Sequence, residues 1–244
     1  MIPTPFNVGA FVPGAPTSPR AIVRHADLLT AYADGAMAVK GAEREAYLSH
    51  FVYGTQMEAH YRLNRASVAG YAGPCGCRWL VFDIDRENLV IVLADARKLV
   101  GALARRYPES DGGPPVYFSG GKGFHVLPEL AHGPRPTVGF QHVCRTLAEA
   151  LAAVAGVKID PAIYDVNRVV LLPNTKHPRN GLFKRRIDAD ALFRLDIDDI
   201  RAHAQHAAGD GLLSARKPSE QLASSICDAA LQELRLPAED HHGC

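Results

Sequence analysis

A glycine-rich stretch between two apolar runs, Ser119-Gly-Gly-Lys-Gly-Phe-His125, constrains the fold of this chain more than any other part of its sequence. Three glycines in five residues remove the Cβ atoms that would keep backbone N–H groups away from a ligand. Residues 114–118 read as a short strand, and apolar strand character resumes after Gly123. Successive N–H groups in such a turn form a concave anion site. The stretch therefore predicts a strand–turn–strand anion site, to which Lys122 adds a positive charge.

Two aspartates end an earlier apolar run, Arg78-Trp-Leu-Val-Phe-Asp83-Ile-Asp85, which has the composition of a buried strand. Residues two apart on a strand project from the same face, so Asp83 and Asp85 are expected side by side. Carboxylate oxygens suit Mg²⁺ or Mn²⁺. Sugar transferases, phosphatases and nucleases also use Asp-x-Asp pairs, and a solvated pair is the plain alternative. The strand-end position and the anion site that follows favour a metal site.

The segment between Val166 and Ile187 contains no acidic residue, although the whole chain has a net charge of only +1. Such a local concentration of positive charge predicts phosphate or nucleic-acid recognition, and a solvated basic surface is the alternative. Its basic residues are Arg168, Lys176, His177, Arg179, Lys184, Arg185 and Arg186. Two arginines near Tyr61, Arg62 and Arg65, allow a nucleic-acid contact or a solvated helix face. Acids, anion site and basic segment together predict phosphoryl or nucleotidyl transfer.

These stretches resemble the three motifs of the archaeo-eukaryotic primase superfamily, which includes small replicative primase subunits, primase-polymerases and the polymerase domain of bacterial end-joining ligases. The third motif matches Asp160-Pro-Ala-Ile-Tyr-Asp-Val-Asn-Arg168. The resemblance implies catalytic, metal-binding roles for Asp83, Asp85 and Asp160, with Asp165 as the alternative third ligand. It implies that the nucleotide is bound by Ser119, Gly120, Gly121, Lys122, Gly123, His125, Asn167, Arg168, Lys176, His177 and Arg179.

The resemblance also implies a fold and an activity. The fold is α/β (α+β), a primase-like catalytic core of two apposed sheets flanked by helices around a central cleft. The activity is that of a DNA primase or DNA-directed polymerase with two Mg²⁺ or Mn²⁺ ions per site. Its partners are single-stranded or primed DNA, nucleoside triphosphates, and a helicase or another replication or repair protein. The expected DNA contacts are Arg62, Arg65, Lys184, Arg185 and Arg186.

Three other functions compete with this interpretation. A catalytically silent module that binds single-stranded DNA would carry the same basic segment, but it needs no carboxylates near phosphates. A metal-dependent phosphatase of the haloacid type has a hydroxyl residue two places after the second aspartate, where this chain has Glu87. A sugar transferase would leave the basic segment unexplained. The sequence departs from the family at Leu171, where many relatives have a basic residue; Arg168 or Lys176 is the expected substitute.

Composition predicts three parts: an extended N-terminal arm over residues 1–19, a catalytic domain over 20–208, and a linker with a helical or disordered tail over 209–244. Helical spacing begins after Pro19 and recurs over residues 42–51, 89–107 and 140–154.

The sequence predicts neither a membrane-spanning segment nor a disulfide or zinc site formed by its cysteines. The five scattered cysteines predict neither a disulfide framework nor a structural zinc site. No apolar run is long enough to span a membrane, and the N-terminus does not resemble a signal peptide. A cytoplasmic location is the resulting expectation.

Overall fold

The computed structural model describes residues 7–24, 45–107, 113–130 and 137–207. Within them the strands are β1 Val8–Pro13, β2 Ala21–Arg24, β3 Ala46–Ser49, β4 Val52–Tyr53, β5 Cys75–Gly76, β6 Phe82–Asp85, β7 Val116–Phe118, β8 Gly123–Val126, β9 Val169–Leu171 and β10 Arg185–Ile187. The α-helices are α1 Thr55–Leu63, α2 Leu89–Arg106, α3 Phe140–Val154, α4 Ala189–Arg194 and α5 Ile197–His203. A 3-10 helix covers Pro161–Tyr164.

The strands form two sheets in which every pairing is antiparallel. The six-stranded sheet has the order β5-β4-β1-β3-β9, with β2 paired to β1, and the four-stranded sheet has the order β10-β7-β8-β6. Two sheets accompanied by helices confirm the predicted α+β class at that level.

The four-stranded sheet has one apolar face, which α2 covers. Alternation along the strands places Phe82 and Ile84 of β6 on the same face as Phe124 and Val126 of β8, and all four are fully buried. Helix α2 packs on both strands and contributes a buried stripe to the same core: Val92, Leu93, Ala96, Leu99, Val100 and Leu103. The side chain of Asn88 caps this helix by accepting hydrogen bonds from the amides of residues 90 and 91.

The other face of the four-stranded sheet is turned to the six-stranded sheet. Tyr117 of β7 packs in a small apolar cluster with Ala46 and Leu48 of β3 and with Leu172, just after β9. The polar residues of β6 and β8, which alternate with the helix-facing ones, therefore lie on the inter-sheet side. This arrangement places Asp83 and His125 of the predicted site on the face between the two sheets.

The N-terminal region differs most from expectation. The predicted extended arm, residues 1–19, contains β1, which pairs with β2, β3 and β4 inside the six-stranded sheet. Ala21–Arg24 and Ala46–Ser49 are strands where helical spacing predicts helices. A few apolar residues fit either period, and pairing with distant strands decides between them. Residues 25–44 and the predicted tail, 209–244, lie outside the described residues.

Elements with long, strong patterns match expectation. Helices α2 and α3 cover the predicted segments, and β6, β7 and β8 form where strands are predicted. Helix α3 starts after Gly139, whose φ is 87°, and is followed by Gly156, whose φ is 66°. Both glycines adopt the left-handed conformation that other residues rarely enter. Helix α4 was not predicted.

Candidate active site

A row of polar side chains crosses the four-stranded sheet on its inter-sheet face. Asp83 of β6 lies opposite His125 of β8, which lies opposite Tyr117 of β7, which in turn lies opposite Arg186 of β10. Residues directly opposite each other in antiparallel strands share a face. The first and second motifs of the sequence therefore meet through backbone pairing, since β6 carries one and β8 ends the other.

Asp83 and His125 are in side-chain contact at the start of this row. His125 Nε2 lies 3.4 Å from Asp83 Oδ1, and the exposed fractions of the two side chains are 9% and 17%. Burial raises the pKa of Asp83, but the interactions of its carboxylate with His125, Lys184 and Arg168 outweigh burial, so the pKa of Asp83 is lowered. Burial, and then the charge of Lys184, lower the pKa of His125. The pair is an ionised carboxylate beside a neutral imidazole at neutral pH.

Lys184 lies behind His125 and is only 3% exposed. Its Nζ is 2.9 Å from His125 Nδ1, donates to the carbonyl of Leu171 at 2.9 Å, and sits 5.5 Å from the ring centre of Tyr117. Burial lowers the pKa of Lys184 to about 7, although the charge of Asp83 opposes this effect. The sequence predicts a DNA contact for Lys184; the structure instead encloses its ammonium group between the sheets. Lys184 and Arg186 are two residues apart, and this spacing is the sequence signal that their side chains share one face of the strand.

The third predicted acid lies next to β6. The amide of Asp160 donates to the carbonyl of Asp83 at 2.8 Å, while Asp160 Oδ1 accepts from the amide of Ala162 at 2.9 Å and caps the 3-10 helix. The alternative, Asp165, is exposed, and its Oδ1 accepts from the amide of Asn167 at 2.7 Å. The structure thus brings Asp160, and not Asp165, against the strand that carries the other two acids.

Asp85 is the most open of the three carboxylates. Its side chain is 40% exposed, and its Oδ1 lies 3.9 Å from Lys122 Nζ. Partial burial raises the pKa of Asp85, and the negative charges of Asp83 and Asp160 add to this effect, while Lys122 counteracts it. Asp83 and Asp160 are therefore close enough to Asp85 for their negative charges to disfavour its ionisation.

The donor chemistry of these residues fits a hard cation. Carboxylate oxygens are the ligands of Mg²⁺ and Mn²⁺, and a cation at Asp85 would relieve the repulsion from its acidic neighbours. In the part of the chain that the structure describes, however, no three His, Cys, Asp or Glu side chains are grouped closely enough to hold a metal ion. One oxygen of Asp83 faces His125, and one of Asp160 serves the helix cap.

The glycine turn is closed by its own serine. Ser119 Oγ accepts from the amides of Gly121 at 3.1 Å and Gly123 at 3.2 Å, and the Ser119 amide donates to the Gly123 carbonyl at 2.9 Å. Two of the amides that the sequence assigns to an anion therefore already have a partner in the chain. The Ser119 hydroxyl keeps its own proton to donate.

Close backbone approach explains why two of these positions are glycine. A Cβ at Gly123 would lie 2.6 Å from the carbonyl oxygen of Ile84 in β6. One at Gly120, whose φ is 77°, would lie 2.6 Å from the carbonyl oxygen of Leu182. The turn is thus packed against β6 on one side and against residues 177–183 on the other.

The turn that carries His177 packs on the glycine turn. A Cβ at Gly121 would lie 2.9 Å from His177 Nε2, and Asn180 Nδ2 donates to the Gly121 carbonyl at 3.3 Å. The amide of His177 donates to the carbonyl of Leu182 at 2.8 Å, which closes the turn. Burial, and then the charge of exposed Arg179, lower the pKa of His177. A neutral imidazole at neutral pH therefore lies against the glycine turn, and Arg179 follows it in the same packed segment.

The other predicted contacts divide between the site and elsewhere. Arg168 is exposed and helps to lower the pKa of Asp83, which places its charge near the site. The Asn167 carbonyl accepts from Arg20 at 2.6 Å. Lys176 Nζ lies 5.4 Å from the ring centre of Phe183. Arg62 and Arg65 are exposed at the end of α1 and just beyond it.

Arg185 lies on the opposite face of the sheet from the polar row, because it pairs with Phe118 while Arg186 pairs with Tyr117. Its Nη1 donates to the carbonyl of His206 at 2.7 Å. A cavity of about 400 Å³ opens there, lined by Arg185, Asp199, Ala202, His203 and His206. This cavity is separate from the polar row, so the structure does not bring Arg185 to the other site residues.

No protein-family model matches this chain, and no curated protein matches it. None of the helices among the described residues is long and apolar enough to cross a membrane.

Proposed function

We propose that this chain is a template-directed nucleotidyltransferase of the archaeo-eukaryotic primase type, which makes or extends primers on single-stranded DNA from nucleoside triphosphates. The observation that carries the proposal is the meeting of three sequence motifs along β6. His125 contacts Asp83 across the sheet, and the Asp160 amide bonds to the Asp83 carbonyl. Acids next to a histidine and a glycine turn are what transfer of a nucleotidyl group requires.

Each residue has a role that follows from its surroundings. Asp83 is held ionised by His125, Lys184 and Arg168 despite its burial, so it is ready to bind a cation. A divalent cation held by Asp83 and Asp85 would stabilise the charge that develops on the attacking and leaving oxygens. The exposed side chains of Arg168 and Arg179 offset the negative charge of a triphosphate at the glycine turn.

The test is nucleotide incorporation on unprimed and on primed single-stranded templates, with Mg²⁺ or Mn²⁺, and with products sized on a gel. Asp83→Asn and Asp85→Asn should lower the incorporation rate by about 100-fold or more, because a cation loses a charged ligand. The control is Glu87→Gln, an exposed acid two residues beyond Asp85, which should keep wild-type activity. Full incorporation by either aspartate variant would exclude the proposed mechanism.

A second candidate is a catalytically silent module that binds single-stranded DNA. It is favoured by the finding that, among the described residues, no three acidic, histidine or cysteine side chains are grouped closely enough to hold a metal ion. The ionised Asp83 beside the site weighs against it, since a buried carboxylate repels nucleic-acid phosphates. DNA binding without incorporation under every Mg²⁺ and Mn²⁺ condition would select this second function.

A further inference from the structure

Lys184 joins the two sheets at the back of the Asp83–His125 pair. It directly precedes β10 of the four-stranded sheet, yet its Nζ donates to the carbonyl of Leu171, the last residue of β9 in the six-stranded sheet. The same Nζ lies 2.9 Å from His125 Nδ1. The side chain is almost completely buried, so these contacts, with the ring of Tyr117, form its surroundings in place of water.

The chemistry of the two groups sets which nitrogen of His125 carries the proton. An ammonium group has three N–H donors and no acceptor, so a ring nitrogen in contact with it must accept. A neutral imidazole has one acceptor and one donor nitrogen, and with Nδ1 accepting, the proton resides on Nε2. Nε2 is the atom that faces Asp83 Oδ1. The hydrogen bonds therefore run in one direction, from Lys184 to His125 and from His125 to Asp83.

We propose that Lys184 is a positioning residue that holds His125 as the Nε2–H tautomer, with its N–H directed to Asp83 and to the reacting phosphate. The contact between His125 and the reacting phosphate rests on the proposed function, whereas the tautomer of His125 follows from the hydrogen-bond geometry alone. In this role the buried Lys184 acts through the imidazole of His125 rather than on the nucleotide or a cation. Without the ammonium group, Nδ1 would be free to bind a second proton while Nε2–H still faces the ionised Asp83 carboxylate, so the ring would become an imidazolium more readily.

The direct test is the tautomer of His125 in the intact protein, measured at pH 6 by ¹⁵N–¹H correlation spectra of ¹⁵N-histidine-labelled chain. The chain has 11 histidines, so a His125→Gln variant assigns the signal by its disappearance. We expect the pattern of a neutral Nε2–H ring. A neutral Nδ1–H ring, or an imidazolium, would overturn the proposal without any reference to activity.

Two variants extend the test. Lys184→Met keeps an unbranched chain of similar length without a donor and should shift His125 from the neutral Nε2–H ring toward the imidazolium. Lys158→Met removes an exposed lysine and should leave the spectrum unchanged. A His125 signal that is the same in Lys184→Met as in wild type overturns the proposal. A Lys184→Met chain that fails to fold leaves the wild-type spectrum as the deciding measurement.

Activity then separates this inference from the function on which it partly rests. In Lys184→Met, KM for the nucleotide should rise about tenfold while Lys158→Met keeps the wild-type KM. An Nε2–H ring in a chain that incorporates no nucleotide supports the role of Lys184 and counts against the polymerase function. Incorporation with unchanged KM in Lys184→Met overturns the link between Lys184 and the phosphate.

Discussion

Burial of Lys184 should make the stability of this protein increase with pH above neutrality. Its pKa is lowered by burial from 10.5 to about 7 in the folded chain. Between these two values the unfolded chain binds a proton at this site that the folded chain does not bind, so the free energy of unfolding rises with pH. Below about pH 7 both states are protonated, and the full cost of burying the ammonium group is present.

The size of the effect follows from the two pKa values. Stability should change by about 1.4 kcal/mol for each pH unit in this window. The total gain between pH 7 and pH 10.5 is at most about 5 kcal/mol, a large fraction of the stability of a typical domain. Structural relaxation around the lysine reduces this value and keeps its sign.

The assay is urea unfolding of wild type, Lys184→Met and Lys158→Met at several pH values from 7 to 10. Methionine cannot bind the proton, so the difference in unfolding free energy between wild type and Lys184→Met should grow in favour of wild type as the pH rises. Other groups that titrate between pH 7 and 10 in the unfolded chain, such as Cys75, are present in both proteins, so their contributions cancel in the difference. The exposed Lys158 is hydrated in both states, so its removal should leave the slope unchanged. A wild-type minus Lys184→Met difference that is constant from pH 7 to 10 would refute the reasoning.

Two further predictions concern backbone packing and thiol chemistry. Gly123→Ala should lower the free energy of unfolding by about 1–3 kcal/mol, because its Cβ would collide with the Ile84 carbonyl. Gly101→Ala, in α2, should raise it by about 1 kcal/mol, since its Cβ meets nothing closer than 3.5 Å; equal denaturation curves for the two would contradict the packing described. Burial raises the pKa of Cys75 to about 12, so peptide mapping after iodoacetamide treatment at pH 8 should find Cys75 unmodified in the native protein and modified in urea. Rapid native labelling of Cys75 would show that its segment opens readily.

The parts of the fold with long, regular patterns could be predicted from the sequence. Helix α2 has a continuous apolar stripe and a capping asparagine, and an apolar run over residues 79–82 leads into β6, which carries the two acids. By contrast, the few apolar positions of β2 and β3 fit a helix equally well. Their structure depends on partners far away in the sequence, which local spacing does not contain.

The sequence predicts which residues form the candidate site better than it predicts the surroundings of each residue. Asp83, His125 and Asp160 are brought together as their motifs suggest. A lysine in a basic segment is expected on the surface, since lysines are seldom buried, so the enclosure of Lys184 between two sheets required the tertiary structure. The Ser119 hydroxyl that occupies two turn amides was likewise hidden, because glycine spacing says nothing about which groups the amides meet.

The position of β1 has a consequence for how the chain reaches its native state. β1 pairs with β2 along one edge and with β3 and β4 along the other. β9 joins the same sheet by pairing with β3. During synthesis, the first strand must wait for segments made much later, and the last ladder closes only after Leu171 has left the ribosome. Contacts between such distant segments slow folding, because the loop entropy is lost before the pairing energy is gained. Deleting the first 19 residues would therefore remove the shared neighbour of three strands and leave a nascent sheet prone to intermolecular association.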